Sequence, residues 1–451
     1  MLPEGLCNQL CSLNPNEPKL TFTSWFRIRR ATGEVILDSK DPNGPRFAKT
    51  VIQSCCRYSY EEVQDVLDGI AIPLTKRPTV FGSHNSWESL EKDLFMLYDV
   101  CGKVRDLRFE HGSIRIDKNK MRFKLDEDDV PSGYSFETHS PSHWMIEELM
   151  LLANKVVAVK ICEIGDAAVL RNHPAPEPKS FAKLSENIRT KLGVPEWDGA
   201  TSGALFQSIK IVKERLGPKI GALIEFLVMK TMKPAAYCAQ SSGYLRHYAL
   251  SFDHYTHFTS PIRRYPDIMV HRQLQTVLEL NACGLDPKVG APDLIAIENQ
   301  CVKCNVMKKK SREAQEACDV SFYCIYLRKR KELSVTTGTV MSIMEKCVNV
   351  FVPLINKDVP VFFTLHAKVP DWFLEGDAKR VQLDEIMKGP DTISRASETL
   401  ATVQWRKSES VSDIALFDSV KIVIVPMDTV PISYAVRLLP PWQTLPVSEE
   451  L

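Results

Sequence analysis

Residues 244–278 read YLRHYALSFDHYTHFTSPIRRYPDIMVHRQLQTVL, the most informative stretch of the chain. Two prolines, Pro261 and Pro266, bracket an Ile-Arg-Arg-Tyr tetrapeptide and keep it out of a regular helix. Pro266 suits the first position of a following helix, and Asp267 then falls in its first turn. Apolar residues recur at helical spacing from Val270 onward. The stretch therefore predicts an irregular turn that feeds directly into a helix.

Four side chains lie at the entrance of this helix: Thr259, Ser260, Arg263 and Arg264. Hydroxyls, free backbone amides and forked guanidinium groups in one place suit a phosphate group. The same residues would serve equally well as a helix cap with two surface arginines. Spacing alone leaves both interpretations open.

Residues 247–274 closely resemble the signature of the ribonuclease II (RNB) family of 3′→5′ exoribonucleases. Three other segments agree with that family in the same order: MLPEGLCNQLCSLN at 1–14, Ser59-Tyr60-Glu61, and IEELMLLAN at 146–154. The resemblance covers nearly the whole chain. It implies a nuclease that degrades single-stranded RNA to nucleoside monophosphates.

Specific residue roles follow from this resemblance. Arg263 matches the arginine that contacts phosphate at the scissile end, and Tyr60 matches a tyrosine that lines the pocket for the 3′-terminal nucleotides. Glu147 matches a glutamate that meets the RNA near its end. Thr259, Ser260 and Arg264 are further candidate RNA contacts.

Two segments indicate a branch within the family. Leu170 to Pro174 and Phe417 to Pro440 are similar to the eukaryotic Dis-like enzymes. The cytoplasmic, exosome-independent type that degrades oligouridylated RNA is the most similar. The resemblance therefore implies a cytoplasmic protein that acts on an RNA 3′ end without an obligate exosome partner.

The family's magnesium ligands are expected to be missing. In the family, aspartates in a D-x5-D-x-D-D cluster lie upstream of the segment that 1–14 resembles. Asp38 and Asp41 lack this spacing, and the acidic run at 126–129 is better explained as a solvated hairpin tip. Two-metal hydrolysis needs such carboxylates to hold Mg²⁺. We therefore expect a domain that is incomplete at its N-terminus and contains no metal ligands.

This departure leaves three hypotheses open. The first is an RNB-family exoribonuclease whose N-terminal part is absent, so that this chain alone is inactive. The second is a non-catalytic RNA-binding or regulatory paralogue. The third is a fragment without function.

A long apolar helix is predicted at 142–162, and its composition indicates burial. Glu147 and Asn154 are seven residues apart and therefore lie on one face. A buried carboxylate needs a partner or an aqueous cleft. Either this face borders a functional groove or Glu147 is paired within the core, and the residues alone favour neither.

Composition limits the possible partners and sites. The chain has 451 residues, with 57 Lys plus Arg against 56 Asp plus Glu, so any attraction for phosphate must come from a local basic cleft. The chain contains no apolar run of about 18 residues, so no membrane span is predicted.

Thirteen cysteines without a framework spacing favour reduced thiols in the cytosol. Cys301 and Cys304 form a single CxxC, interpreted as helix residues and not as a zinc site. The basic residues from Lys303 to Arg312 are interpreted as a solvated helix face.

The pattern of the chain changes near residue 333, where short β-rich segments replace helical periodicity. We predict an α/β (α+β) RNB-type domain over 1–328, followed by an all-β OB-type, S1-like RNA-binding barrel over 333–451. The Pro-rich stretch at 165–200 is predicted to be a loop. Strands are expected at 20–23, 25–28 and 35–37, in a sheet that lacks neighbouring strands.

Overall fold

Seven α-helices and fourteen β-strands occupy the described part of the chain. The computed structural model describes residues 2–37, 41–115, 121–137, 139–331, 333–362, 390, 392–397, 399–405 and 411–440. The helices are α1 Tyr60–Leu67, α2 Trp87–Glu110, α3 Pro141–Ile161, α4 Pro178–Lys191, α5 Ser202–Lys230, α6 Tyr265–Ala282 and α7 Leu294–Arg330. The first strands are β1 Pro18–Trp25, β2 Arg46–Gln53, β3 Met121–Leu125, β4 Pro131–Phe136, β5 Val169–Asn172 and β6 Ala236–Ala239. The later strands are β7 Ser334–Ile343, β8 Cys347–Val352, β9 Lys357–Phe362, β10 Thr392–Arg395, β11 Leu400–Gln404, β12 Val411–Ala415, β13 Ser419–Met427 and β14 Ser433–Leu438. A π-helical segment lies at Gly5–Cys11, and 3₁₀ turns lie at Leu74–Lys76, Cys162–Ile164, Gln240–Ser242, Tyr248–Leu250, Pro287–Gly290 and Pro353–Ile355.

The core of the N-terminal part forms around α3, α6 and the β5–β6 hairpin. Apolar side chains from these elements make one buried cluster, which includes Val157, Ile161, Leu170, Val270 and Leu274. The predicted apolar helix is thus confirmed as α3, and its burial follows from apolar residues on nearly every face. Since β1–β2, β3–β4 and β5–β6 are all antiparallel pairs, this part is α+β in type.

Local hydrogen bonds set the start of α1. The Ser59 hydroxyl accepts a hydrogen bond from the Glu62 amide at 3.1 Å, and a Glu62 carboxylate oxygen accepts one from the Ser59 amide at 2.6 Å. This reciprocal capping box satisfies two backbone donors that the helix itself leaves unpaired. It fixes the position of Tyr60, the first residue of α1.

The early strands differ partly from the prediction. β1 pairs with β2 along its whole length, but residues 26–37 form only a single bridge, between Ile28 and Val35. Gly33 explains the difference, because it has φ +76° and lies so close to α2 that a Cβ atom would meet Lys103 backbone atoms at 2.6 Å. The turn is therefore pressed against a helix and does not continue as a strand.

The prediction of a loop at 165–200 is wrong for two elements. Residues 169–172 form β5, which pairs with β6, and residues 178–191 form α4. Pro178 stands at the start of α4, where a missing amide proton costs nothing, and Glu177 caps the first turn. Proline content therefore does not by itself predict a loop, because Pro178 begins a helix.

The predicted barrel is confirmed as the fold of the C-terminal part. Its main sheet has five antiparallel strands in the order β14-β13-β7-β8-β9, and the two edge strands β14 and β9 contact each other. Strands β10, β11 and β12 form a second antiparallel sheet. The barrel core contains Val340, Val350, Ile422, Ile424 and Val436. Strand β9 is described as far as Phe362, and residues 363–389 lie outside the described residues.

Elements from the N-terminal part complete the packing of this barrel. Tyr323 and Leu327 at the end of α7 belong to the buried barrel cluster, and Phe123 and Tyr134 of the β3–β4 hairpin pack against it.

The hairpin tip at 126–129 is as predicted: the Asp126 carboxylate accepts hydrogen bonds from the amides of Asp128 and Val130. The domain limits 1–328 and 333–451 stay a prediction. None of the described helices combines the length and hydropathy that a membrane span requires.

Candidate nucleic-acid interface

The chain makes a tight turn immediately before α6. The amides of Arg263 and Arg264 both donate to the Ser260 carbonyl, at 3.3 and 3.1 Å, and the helix begins at Tyr265 with Pro266 in its first turn. The predicted turn and helix entrance are both present. The tetrapeptide between the prolines therefore projects its side chains from a defined backbone.

Asp267 stabilises this turn through its buried carboxylate. Its side chain is fully buried, and its Oδ1 atom accepts a hydrogen bond from the Ser260 amide at 2.7 Å and another from Arg264 Nη2 at 2.6 Å. Arg264 Nη2 also lies 3.5 Å from the Thr259 hydroxyl. Three of the predicted contact residues are thus tied into one internal network. Asp267 is a structural anchor, which its position in the first turn of a helix did not reveal.

Arg263, unlike Arg264, is not part of this internal network. Its side chain is exposed, it lines a cleft of about 1230 Å³, and it has no hydrogen-bond or ion-pair partner among the described residues. The neighbouring amides of the α6 N-terminus add partial positive charge. An anion that enters the cleft therefore meets a guanidinium group that is available on the rim, whereas Arg264 is held in place.

Asn154 connects α3 to this turn. Its side chain is buried, its Nδ2 atom donates to the Tyr255 hydroxyl at 3.1 Å, and its Oδ1 atom accepts from the amides of Phe258 and Thr259 at 2.8 and 3.3 Å. The polar face of α3 therefore has a structural role at this end. It fixes the backbone that leads to Arg263.

Glu147 is not paired in the core, so that alternative is wrong. Its side chain is 39% exposed, and its Oε2 atom lies 3.0 Å from His139 Nε2. The buried carboxylate is Glu148, 1% exposed, whose two oxygens accept from Arg108 Nη2 at 2.5 Å and Nε at 2.9 Å. Adjacent residues on a helix differ by about 100° in direction, so the inward position falls on Glu148.

Tyr60 and Glu147 meet at the N-terminal half of α3. The Tyr60 ring stacks on His143, with centroids 4.1 Å apart and an interplanar angle of 14°. His143 lies one turn before Glu147, and its ring centroid is 5.8 Å from that of His139, the partner of Glu147. Asn154 is about 10 Å further along the helix axis. One helix therefore carries both this cluster and the anchor of the Arg263 turn.

The wall of the cleft is strongly basic. Lys308 and Arg312 project into it from α7, and Arg171 lies behind it with its guanidinium 4.9 Å from the Tyr237 ring. Burial lowers the pKa of His257 far below its ordinary value, and the nearby Arg264, Arg171 and Lys308 lower it further. His257 is therefore neutral, and its Nδ1 atom lies 2.7 Å from the Tyr237 hydroxyl.

The prediction of a solvated face on α7 is confirmed, because the basic residues from Lys303 to Arg312 are all exposed. The structure adds that part of this face borders the cleft: Lys308, Ser311, Arg312 and Gln315 line it, at helical spacing i, i+3, i+4 and i+7, whereas Lys309 lies outside it. Only one stripe of a helix can face a given neighbour. That spacing was the available signal.

The cleft residues do not fit a magnesium ion. Mg²⁺ needs carboxylate or water oxygens, whereas the lining carboxylates Glu316 and Asp358 are engaged by Arg312 and Lys230. The Asp267 carboxylate is engaged by Arg264 through its Oδ1 atom. Across the described ranges no group of three His, Cys, Asp or Glu side chains is placed to hold a metal. Asp41 Oδ1 accepts from the Asn43 amide at 2.7 Å, and Asp38 lies outside the described residues.

The CxxC pair lies on α7, as predicted. Cys301 is buried, and desolvation raises the pKa of its thiol to about 12. The Cys304 pKa is also raised by burial. Among the described residues, no further His, Cys, Asp or Glu completes with this pair a group of three that could hold a metal.

The geometry is that of a basic cleft over a helix N-terminus, carried by an α+β domain with a β-barrel. Residues 1–280 match the RNB domain family, and the chain belongs to it. It is 31% identical over 450 residues to DIS3-like exonuclease 2 of Caenorhabditis elegans, an alignment that covers 96% of this chain and 48% of the relative. Two Arabidopsis thaliana proteins, DIS3-like exonuclease 2 and inactive exonuclease DIS3L2, each match at 27% identity over 423 residues, 82% of this chain and 38% of theirs.

Solved structures share the fold. RNase R of Mycoplasma genitalium, in complex with ribose-methylated single-stranded RNA, superposes with a TM-score of 0.73 at 22% identity, over 97% of this chain and 60% of that one. Yeast Ssd1, described as a pseudonuclease, has a TM-score of 0.67 at 19% identity, over 98% of this chain and 59% of its own. The chain spans about half or less of the length of the curated relatives named above.

Proposed function

We propose that this chain is an RNA-binding portion of a 3′→5′ exoribonuclease and that it holds single-stranded RNA near its 3′ end. The observation that carries the proposal is the Arg263 guanidinium, exposed over the cleft without a partner among the described residues. Phosphate contacts dominate the affinity of proteins for nucleic acids. A fixed turn that offers a free guanidinium to the cleft is suited to one such contact.

Local charge supports this proposal. The whole chain has a formal net charge of only +1, yet Arg263, Arg264, Lys308 and Arg312 all line one cleft. The carboxylates of the same lining have partners: Glu316 lies 3.9 Å from Arg312, Asp358 lies 2.5 Å from Lys230, and Asp319 accepts a hydrogen bond from Gln315 Nε2 at 2.8 Å. A cleft in which cations outnumber carboxylates concentrates polyanions, even on a nearly neutral protein.

We propose further that the isolated chain does not hydrolyse RNA. In a complete family enzyme, bound Mg²⁺ would supply an activated water and stabilise the leaving oxygen. The residues of this cleft do not fit that ion, and their contribution is to bind and orient the phosphate backbone. Arg263 offers the phosphate a forked donor, and Asp267 keeps the turn in place through Arg264 and the Ser260 amide.

Fluorescence anisotropy with a labelled single-stranded RNA tests the proposal. We expect binding that weakens steeply with salt. Arg263→Ala should make the negative slope of log K against log salt shallower by about 0.7, the value for one phosphate contact on a single strand. Arg272→Ala is the matched control, because Arg272 is exposed on α6 outside the cleft. An Arg263→Ala protein that binds like Arg272→Ala would overturn the assignment. Release of mononucleotides with Mg²⁺, abolished by EDTA, would overturn the claim of inactivity.

A non-catalytic paralogue is the second candidate function. An exonuclease and an inactive exonuclease of the same plant match this chain equally well, so overall similarity favours neither. Both functions use the same RNA-binding cleft. The reading frame upstream of residue 1 separates them: an in-frame aspartate cluster favours the enzyme, and its absence favours the paralogue.

The finer expectations concern the RNA and its location. We propose an oligouridylated 3′ end as the substrate, an S1-like role for the barrel, and action in the cytoplasm without an obligate exosome. The support is the likeness to DIS3-like exonuclease 2. Oligouridine and oligoadenosine tails of equal length, compared in the same anisotropy assay, test the preference, and equal affinities would count against it.

A further inference from the structure

Lys308 is a basic residue of α7 that the sequence assigned to a solvated helix face and that the structure places at the cleft. It lies on the stripe of α7 that faces the cleft, and its Nζ atom is 6.0 Å from the centre of the Tyr237 ring. No carboxylate pairs with it among the described residues. Its neighbour Lys309 faces away from the cleft and lies 3.8 Å from Glu313. The two adjacent lysines therefore have different electrostatic environments.

The groups that face Lys308 come from four different elements. Arg171 stands on β5, Tyr237 on β6, Arg264 at the start of α6, and Arg312 one turn further along α7. Arg171 is 7% exposed, and its Nη1 atom is buried without a hydrogen-bond partner among the described residues. Like charges in so small a region repel each other, and an anion among them would relieve that repulsion.

We propose that Lys308 forms a second phosphate subsite of the cleft, separate from Arg263, which takes another phosphodiester of the same single-stranded RNA. The inference rests on the proposed function and deepens it. Arg263 binds from the α6 side and Lys308 from the α7 side, so the RNA backbone is held between two helices. The Tyr237 ring and the neutral His257 form the floor near Lys308.

The charge state of Lys308 makes this subsite sensitive to pH. Partial desolvation at the cleft wall, followed by the nearby Arg171, Arg264 and Arg312, lowers the pKa of Lys308 to about 8, although part of its side chain is exposed. The lysine loses its charge as the pH rises through this value, so a phosphate contact made by it is present at pH 7 and weakened at pH 9. Burial raises the Tyr237 pKa to about 12, and the His257 pKa is far below 7, so neither changes charge in this window. Burial also lowers the pKa of His247 to about 3 and raises the pKa of the Cys304 thiol above its ordinary value.

Three variants test the subsite: Lys308→Gln, Lys308→Arg and, as the matched control, Lys309→Gln. RNA affinity is measured by anisotropy as a function of salt at pH 7 and at pH 9. At pH 7, Lys308→Gln should weaken binding about 5- to 10-fold and make the negative slope of log K against log salt shallower by about 0.7. Lys309→Gln should resemble the wild type. Lys308→Arg should restore binding, because an arginine stays charged at both pH values.

The pH comparison provides a readout that a structural role would not change. The wild type should bind less tightly at pH 9 than at pH 7, and Lys308→Arg should show a smaller loss. Superimposable circular dichroism spectra confirm that the variants are folded. If the wild type binds RNA but Lys308→Gln and Lys309→Gln bind equally well, the subsite is wrong and the proposed function stands. If the wild type binds no RNA, the proposed function fails with it.

Discussion

Asp267 Oδ1 lies 2.6 Å from Arg264 Nη2 and 2.7 Å from the Ser260 amide, so one buried carboxylate oxygen orients both an arginine and the backbone of the cleft turn. Adjacent arginines in the sequence consequently have different environments. Arg264 completes an internal network, and Arg263 remains available to a ligand. Removing the carboxylate should therefore disturb a binding site that it does not line.

Asp267→Asn is expected to destabilise the protein by about 3 kcal/mol, because it leaves a partly buried guanidinium without its counter-charge. RNA affinity should fall as well, since the turn that presents Arg263 loses its anchor. Urea unfolding measures the first effect and anisotropy the second. Asp253→Asn is the control: its side chain is 86% exposed and 4.0 Å from Arg246, so it should change stability by less than about 0.5 kcal/mol. Equal stabilities of the two variants would refute the anchoring role.

Asn154→Ala is expected to cost about 2–3 kcal/mol, because the buried amide of Phe258 and the Tyr255 hydroxyl lose their partner. Thermal or urea unfolding measures the change. Asn172→Ala removes a solvent-accessible hydrogen bond to the Tyr244 carbonyl and should cost less than about 1 kcal/mol. A loss no larger for Asn154→Ala than for this control would show that α3 does not hold the turn.

His143→Ala should weaken RNA binding by about 2- to 10-fold, which corresponds to the roughly 0.5–1.5 kcal/mol of an aromatic pair. The reason is that His143 supports the Tyr60 ring, which is 42% exposed and available to a nucleotide. Tyr60→Ala should have a similar effect, and the double variant should lose less than the sum of the two. His111→Ala, at an exposed helix end, is the control. Strictly additive losses would indicate that the two rings act independently.

The barrel should depend on the end of α7 for stability. A fragment that begins at residue 333 lacks Tyr323 and Leu327, two buried members of the barrel core. We expect it to melt at a lower temperature than a fragment that begins at residue 294 and includes α7, since each lost apolar side chain removes about 1.5–3 kcal/mol of burial. Calorimetry compares the two fragments. Equal melting temperatures would instead support a domain boundary at 328–333.

Several elements could be predicted from short stretches of sequence. The turn between Pro261 and Pro266, the capping box of Ser59 and Glu62, and the hairpin tip at 126–129 all follow from residues within about four positions of each other. Backbone torsions and cap hydrogen bonds are local interactions, so the same segments would form them in many surroundings. The RNB resemblance of residues 247–274 also needs only the order of residues.

The pairing of charges required the tertiary structure. Glu148, and not Glu147, faces Arg108, because the direction of a helical side chain changes by about 100° per residue and the rotation of α3 is set by its packing. Lys308 lines the cleft and Lys309 does not, for the same reason. The family, the local turns and the types of residue at the cleft follow from the order of residues alone. Which of these charges are engaged and which are free depends on the packing of the helices, because electrostatic partners come from segments that lie far apart in the chain and meet only when the helices pack.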